Sequence, residues 1–101
     1  MYNKNMQAKK KDSVAWTFLS NHGHVLVQLK RDPELRIRDI AELVGITERS
    51  AQGILADLVD AGYVSVTKVG RRNTYKVNSG KKFRHPSEAN KSIDSLLKIF
   101  N

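Results

Sequence analysis

Cysteine is absent from this chain of 101 residues. Without cysteine the protein has no disulfide and no thiolate metal site, which fits a cytoplasmic protein. Long apolar runs are missing as well, because no stretch approaches the roughly 18 residues that a membrane span needs. The first 12 residues also lack the apolar core of a signal peptide. We therefore expect a cytoplasmic protein that does not enter a membrane.

Acidic residues are scarce, and their distribution is uneven. The net charge is +8, and residues 63–86 hold seven Lys or Arg side chains but no Asp or Glu. Residues 1–13 hold four lysines and one aspartate. A solvated surface is the simplest origin of a lysine cluster. An acid-free segment of this length instead favours a polyphosphate partner, since basic groups neutralise phosphates and release counterions.

A single small globular domain is indicated by the length and by a composition of 40% hydrophobic and 28% charged residues. Residues 1–13 lack apolar periodicity, which predicts a flexible basic arm. After this arm, Val14, Trp16 and Phe18 occupy alternate positions. Such alternation predicts a short extended segment that packs on the core.

Three helices are predicted next. Ser20 or Asn21 can cap the first, which runs to about residue 31, and the other two cover about residues 37–44 and 48–61. Gly45 and Gly62 follow the second and third helices, where a left-handed helix end favours a residue without Cβ. Thr47 is a good N-cap for the third helix. The expected apolar faces are Val25, Leu26 and Leu29 on the first helix, Ile37, Ile40, Ala41 and Val44 on the second, and Ala51, Ile54, Leu55 and Leu58 on the third.

A β-hairpin is predicted after the third helix. Strands at residues 63–69 and 74–78 are rich in β-branched residues and enclose a turn at residues 70–73. Residues 35–37 are expected to add a short edge strand before the second helix. The layout is therefore a helix-turn-helix followed by a hairpin.

The C-terminal part is predicted to contain a basic loop, residues 79–86, and a last amphipathic helix within residues 87–101. The apolar stripe of this helix consists of Ile93, Leu96, Leu97 and Phe100. The stripe either covers the chain's own core or forms a two-fold interface with a second copy. We favour the interface.

The third helix has the properties of a helix that enters the DNA major groove, because one face is apolar and the other carries groups that can reach bases. Arg49 can pair with guanine and Gln52 with adenine, while Thr47 and Ser50 can reach bases or phosphates. Glu48 would repel phosphate unless it pairs with the neighbours of Arg49 or accepts from a cytosine amino group. The candidate contacts on this helix are Thr47, Arg49, Ser50, Gln52 and Gly53.

An exposed Gly53 within a helix costs roughly 1 kcal/mol, so its presence calls for a reason. Close approach of this face to DNA is one explanation. Close packing against the first helix is the other.

The hairpin turn carries two adjacent arginines, Arg71 and Arg72. Gly70 supplies a positive φ and Asn73 tolerates one, so a purely structural turn needs neither arginine. One of the two can enter a minor groove, where narrow A·T tracts attract guanidinium groups. Lys68, Arg71, Arg72 and Asn73 complete the candidate DNA-binding set.

At these residues the chain resembles the winged helix-turn-helix regulators of the MarR/ArsR type. The matching motifs are Asp39-Ile40-Ala41-x-x-Val44-Gly45-Ile46-Thr47, Leu58-x-x-Ala61-Gly62-Tyr63-Val64 and Gly70-Arg71-Arg72-Asn73-x-Tyr75. The resemblance covers roughly residues 35–78. It implies a dimer on a near-palindromic operator, with Arg49, Ser50 and Gln52 in the groove and Arg71 or Arg72 in the wing contact. The chain is shorter than typical MarR proteins and lacks the cysteines of many ArsR-type metal sensors.

Enzyme and metal chemistry find little support in the sequence. His22 and His24 are two positions apart, and such side chains diverge on a helix, so we expect no shared metal. No nucleophile–base motif, Gly-rich phosphate loop or paired catalytic carboxylates are present. We expect no enzyme activity and no cofactor.

These observations predict an α+β fold: a winged helix-turn-helix domain over residues 14–78, with a three-helix core and a two-stranded β-wing, followed by the C-terminal helix. The expected function is sequence-specific binding of double-stranded DNA and regulation of transcription as a homodimer. The alternatives are a winged helix that binds RNA or another protein, and a non-specific chromosomal DNA binder. The sequence identifies no operator, no direction of regulation and no small-molecule effector.

Overall fold

The computed structural model describes residues 15–100. The predicted basic arm, residues 1–13, and Val14 lie outside the described residues. These residues form three helices, a two-stranded antiparallel sheet and a short terminal helix. Their bounds are α1 Asn21–Arg31, α2 Ile37–Val44, α3 Glu48–Asp60, β1 Val64–Val69, β2 Arg72–Val77 and α4 Ile93–Leu97, which a 3₁₀ turn, Lys98–Phe100, extends. The predicted α+β winged-helix fold is confirmed.

Local side-chain and backbone chemistry defines where the three core helices begin and end. The Ser20 hydroxyl accepts a hydrogen bond from the Gly23 amide at 3.2 Å and caps α1. The Thr47 hydroxyl accepts one from the Ser50 amide at 3.0 Å and caps α3. Gly45 ends α2 with φ 83°, and Gly62 follows α3 with φ 85°. Both are left-handed positions that an L side chain rarely adopts.

The hydrophobic core lies where α1, α2 and α3 meet, and the sheet and α4 extend it. Its fully buried side chains include Leu29 of α1, Ile40 of α2 and Ala51 of α3. Val64 and Tyr75 bring the sheet into this core, and Ile93 and Leu97 bring α4 into it. The predicted apolar faces of α1 and α3 are buried, while Ile37 and Val44 of α2 are partly buried against the core.

The hairpin pairs Val64 with Val77 at its base and Val69 with Arg72 at its tip. The turn is therefore the two-residue segment Gly70 and Arg71, with Gly70 at φ 63°. This corrects the predicted turn of four residues, because Arg72 and Asn73 belong to the second strand. A two-residue hairpin turn needs a positive φ at its first position, which Gly70 supplies.

Two predictions about short extended segments were wrong. Residues 35–37 form no strand, since α2 begins at Ile37. The chain contacts the sheet before these residues, where the Tyr75 amide donates a hydrogen bond to the Pro33 carbonyl at 2.8 Å. Trp16 and Phe18 do not pack on the core, because their exposed fractions are 71% and 93%. They instead contact each other edge to face, with ring centroids 5.1 Å apart. That contact occurs outside the core, so alternation over a few residues did not indicate burial.

The last helix is shorter than predicted, because it begins at Ile93 rather than near residue 87. The segment before it forms turns whose ends are tied together by hydrogen bonds. The Phe83 amide donates to the Lys91 carbonyl at 3.1 Å, and the Ile93 amide donates to the Lys81 carbonyl at 2.8 Å. Closing this loop uses backbone groups that a longer helix would need for itself.

Within residues 15–100, no helix has the length and apolar character needed to cross a membrane.

Candidate nucleic-acid interface

The exposed face of α3 carries most of the candidate base contacts. Its opposite face is fixed in the core by Ala51, Ile54, Leu55 and Leu58. Arg49, Ser50, Gln52 and Gly53 are all exposed. Because four core contacts hold the helix, its outer side chains project from a rigid base, as direct readout of base edges requires.

Thr47 lies at the start of this face and also caps α3. Its hydroxyl accepts from the Ser50 amide and donates to the Ser50 hydroxyl, both at 3.0 Å. The cap thereby satisfies an amide that the helix leaves unpaired. Thr47 and Ser50 therefore form one hydrogen-bonded unit at the N-terminus of α3.

Gly53 has open space around it. A Cβ atom built at this position would meet no atom within 4 Å outside its own helix turns and neighbours. The alternative that Gly53 allows close packing against α1 is therefore wrong. The free surface at Gly53 is continuous with Gln52 and with the exposed Ala56 one turn further along.

The acidic residues of α3 divide between its two ends. Glu48 is exposed in the first turn, beside the candidate contacts. Asp57, in the C-terminal half, contacts His22 of α1, and the distance between Asp57 Oδ2 and His22 Nε2 is 2.8 Å. The acidic charge of Asp57 is thus directed towards α1.

The two arginines of the hairpin tip have different surroundings. Arg71 is exposed in the turn. The Arg72 guanidinium donates to the Glu34 carbonyl at 2.7 Å, so it is held against the connection between α1 and α2. Lys68 and Asn73 are paired across the strands one step from the tip and are exposed. Arg71 is the better placed of the two arginines to meet a ligand beyond the tip.

The basic segment that the sequence presents as continuous is divided in space. Lys68, Arg71, Arg72 and Lys76 lie on the hairpin, whereas Lys81, Lys82 and Arg84 lie past its base. Six-residue strands separate tip from base by about 17 Å.

At the base of the hairpin, the Lys81 ammonium lies 5.7 Å from the centroid of the Tyr63 ring. The Tyr63 hydroxyl donates to the Lys82 carbonyl. The loop is therefore packed beside the C-terminal end of α3, which the charge pattern alone did not indicate.

An open groove of about 750 Å³ lies beside this loop, at the C-terminal half of α3. Its walls are the start of α1, the C-terminal half of α3 and the segment before α4, with Leu26, Leu58 and Tyr63 among the lining residues. Phe18, Asp60 and Arg84 also line it. Sequence patterns gave no sign of this groove, because its walls come from segments far apart in the chain.

The two neighbouring histidines have separate partners. His22 contacts Asp57, while the His24 ring nitrogen lies 3.1 Å from the Thr17 hydroxyl. Within the described part of the chain, no three His, Asp or Glu side chains are grouped as a metal site.

The four residues proposed for a dimer interface do not share one environment. Ile93 and Leu97 are each 2% exposed and belong to the chain's own core. Phe100 is partly buried, and its carbonyl accepts two hydrogen bonds from Arg31. Leu96 lines the groove. Two roles were considered for this stripe. Ile93 and Leu97 have the role of covering the chain's own core.

Comparison with known proteins adds two findings. A model of the MarR family matches residues 17–72, more than half of the chain. The solved structure of MepR, a transcription regulator of the Staphylococcus aureus multidrug efflux pump MepA, is similar with a TM-score of 0.53 and 20% sequence identity. The similarity covers 79% of this chain but 56% of the MepR chain, and at this identity it shows the fold. No curated protein matches the sequence.

Proposed function

This chain belongs to the MarR family, and from that membership and the geometry of α3 and the hairpin we propose that it is a transcription regulator that binds double-stranded DNA. It binds as a homodimer and in a sequence-specific way. In this proposal α3 lies in the major groove, and the hairpin tip contacts the backbone or the minor groove. In this proposal the regulator works in the cytoplasm.

One observation carries the proposal: the exposed, core-anchored N-terminal half of α3. Arg49 offers paired donors for guanine, and Gln52 offers a donor and an acceptor for adenine. Gly53 supports close approach, because it has no side chain of its own and the space around it is open. Thr47 and Ser50, at the helix start, lie where backbone amides favour a phosphate.

The hairpin supplies charge and supports the same arrangement. Arg71 at the tip, with Lys68 and Asn73 behind it, can reach the DNA backbone or a minor groove beside the site of α3. Arg72 contributes charge while its guanidinium holds the hairpin to the Glu34 carbonyl. In this proposal α3 selects the DNA sequence, and the hairpin supplies much of the binding affinity.

Residues 14–78 carry the DNA contacts in this proposal, the basic loop at 79–86 adds positive charge near them, and the C-terminal segment at 87–101 contributes to dimerisation. Two copies related by a two-fold axis would place their α3 helices about 34–36 Å apart, one turn of DNA. The expected operator is therefore near-palindromic.

Selection of bound duplexes from a random-sequence pool by the full chain tests the proposal. The expected result is enrichment of one motif in two inverted halves spaced by one helical turn. Binding without enrichment would show a non-specific DNA binder, and preference for RNA over duplex DNA would show an RNA module. Either result would overturn the proposed function.

A further inference from the structure

The groove and the aromatic pair together form one surface with both a cavity and a protrusion. The aromatic pair consists of Trp16 and Phe18, which stack edge to face and are exposed by 71% and 93%. Phe18 is one of the residues that line the groove, together with Leu26, Leu58 and Leu96. Two large aromatic side chains in water beside an apolar cavity are unfavourable unless another surface covers them.

This combination fits a second copy of the same chain. In a two-fold dimer the same patch occurs on both partners, so it must be complementary to itself. A patch that contains both a projecting aromatic ring and an open apolar groove meets this condition, because each copy can insert its ring into the groove of the other.

The charges around the groove are also self-complementary. Asp60 from α3 and Arg84 from the loop before α4 both line it. Among residues 15–100 neither forms an ion pair within the chain, whereas Asp57 pairs with His22 and Glu88 lies near His85. Across a two-fold axis, Asp60 of one copy can face Arg84 of the other, and the same contact then occurs twice.

The position of the groove leaves the candidate DNA contacts free. It is lined by Asp57, Leu58 and Asp60 in the C-terminal half of α3 and by Ala61 just after it, while the candidate contacts run from Thr47 to Gly53. Along the helix, Gly53 and Asp57 are separated by about 6 Å, and Arg49 and Asp60 by about 16 Å. Two copies joined through the groove would keep both N-terminal halves of α3 accessible.

We propose that a second copy of this chain covers the groove, with Phe18 of each copy inserted into the groove of its partner and with Asp60 facing Arg84 across the two-fold axis. This inference rests on the proposed function, since it names the surface through which the proposed homodimer forms. The interface is therefore the groove rather than the apolar stripe of α4. Leu96 belongs to both, because it is part of the stripe and lines the groove.

Sedimentation of the full chain without DNA, over a range of concentrations, is the first test. Phe18→Asp is expected to weaken self-association on the order of 100-fold, because two buried aromatic contacts are lost per dimer. Ile99→Asp is the matched control, since Ile99 is 70% exposed and does not line the groove. Equal dimerisation of wild type and Phe18→Asp would overturn the proposal.

Trp16 provides a second signal that does not depend on the variant. It is the single tryptophan of the chain, so its fluorescence reports this surface. The emission of the wild type is expected to shift to the blue as the concentration rises through the dimerisation range. A wild type that remains monomeric, with a groove that binds anilinonaphthalene sulfonate, would assign the groove to a small ligand and overturn the proposal.

Charge exchange tests the orientation of the two copies. Asp60→Arg and Arg84→Asp each place like charges together at both contacts, so each alone is expected to weaken association by about tenfold. Mixing the two variants restores opposite charges at both contacts, and heterodimers should form with the affinity of the wild type. If the mixture associates no better than either variant alone, the proposed pairing is wrong.

Failure of this inference is distinguishable from failure of the proposed function. If Phe18→Asp sediments as the wild type does but the chain still selects one duplex motif, the interface is wrong and the function stands. If dimers form through the groove but no motif is enriched, the interface stands and the function is wrong.

Discussion

Gly53→Ala is expected to change folding stability and DNA affinity in opposite directions. Gly53 lies inside the 13-residue helix α3, and a Cβ atom added there meets no other group within 4 Å. Alanine is favoured over glycine in a helix interior by about 1 kcal/mol, because glycine loses more backbone entropy on folding. With no clash to offset it, this whole difference should increase the free energy of unfolding.

The increase should be visible in thermal unfolding followed by far-UV circular dichroism. For a domain of this size, about 1 kcal/mol raises the Tm by roughly 4–8 °C. Ala56→Gly is the matched control, since Ala56 is exposed one turn further along the same helix. It should lower the Tm by a similar amount. A fall in Tm for Gly53→Ala would show that this position is packed and would refute the reasoning.

DNA binding gives the second half of the prediction. If α3 approaches a groove wall at Gly53, the added methyl group needs space that the complex does not have, which typically costs about 1–3 kcal/mol. The dissociation constant for the selected duplex should therefore rise by about fivefold or more. A more stable variant with unchanged affinity would show that DNA does not approach this part of the helix.

Three further results are expected. Thr47→Ala removes the α3 cap and should lower the free energy of unfolding by about 1 kcal/mol in urea titrations. Thr47→Ser retains a hydroxyl and should keep most of the stability of the wild type. An equal loss of stability in both variants would mean that the hydroxyl is not the stabilising group. Arg71→Ala should weaken binding to every duplex alike and reduce the slope of log affinity against log salt by about 1, and an unchanged slope would remove Arg71 from the phosphate contacts. Leu97→Asp places a charge where the side chain is 2% exposed, so it should destabilise the fold by several kcal/mol. The control Ile99→Asp should leave the thermal unfolding curve unchanged. A folded Leu97→Asp would argue against a core role for Leu97.

The elements marked by local chemistry were predictable from the sequence. Ser20 and Thr47 cap helices with their hydroxyls, and Gly45 and Gly62 stand where positive φ values are needed. Each of these signals acts within a few residues, so no knowledge of the tertiary structure was required. The bounds of α1 and α2 agree with the prediction for the same reason.

The remaining features depend on contacts between distant segments. Lys81 and Arg71 are both part of the basic segment, but the hairpin separates tip from base. The position of Phe18 beside a groove depends on α3 and the segment before α4. The burial of Ile93 and Leu97 in the chain's own core, rather than against a partner, likewise follows from packing that an apolar stripe alone does not specify.

The most direct test of the account is the ratio of dissociation constants for a shuffled duplex and for the selected duplex at one salt concentration. For Gln52→Ala this ratio should fall by the equivalent of about 1–3 kcal/mol, because a base contact is lost. For Arg71→Ala both constants should rise together and the ratio should stay at its wild-type value. A ratio preserved in Gln52→Ala and lost in Arg71→Ala would contradict the claim that α3 selects the sequence and the hairpin supplies affinity.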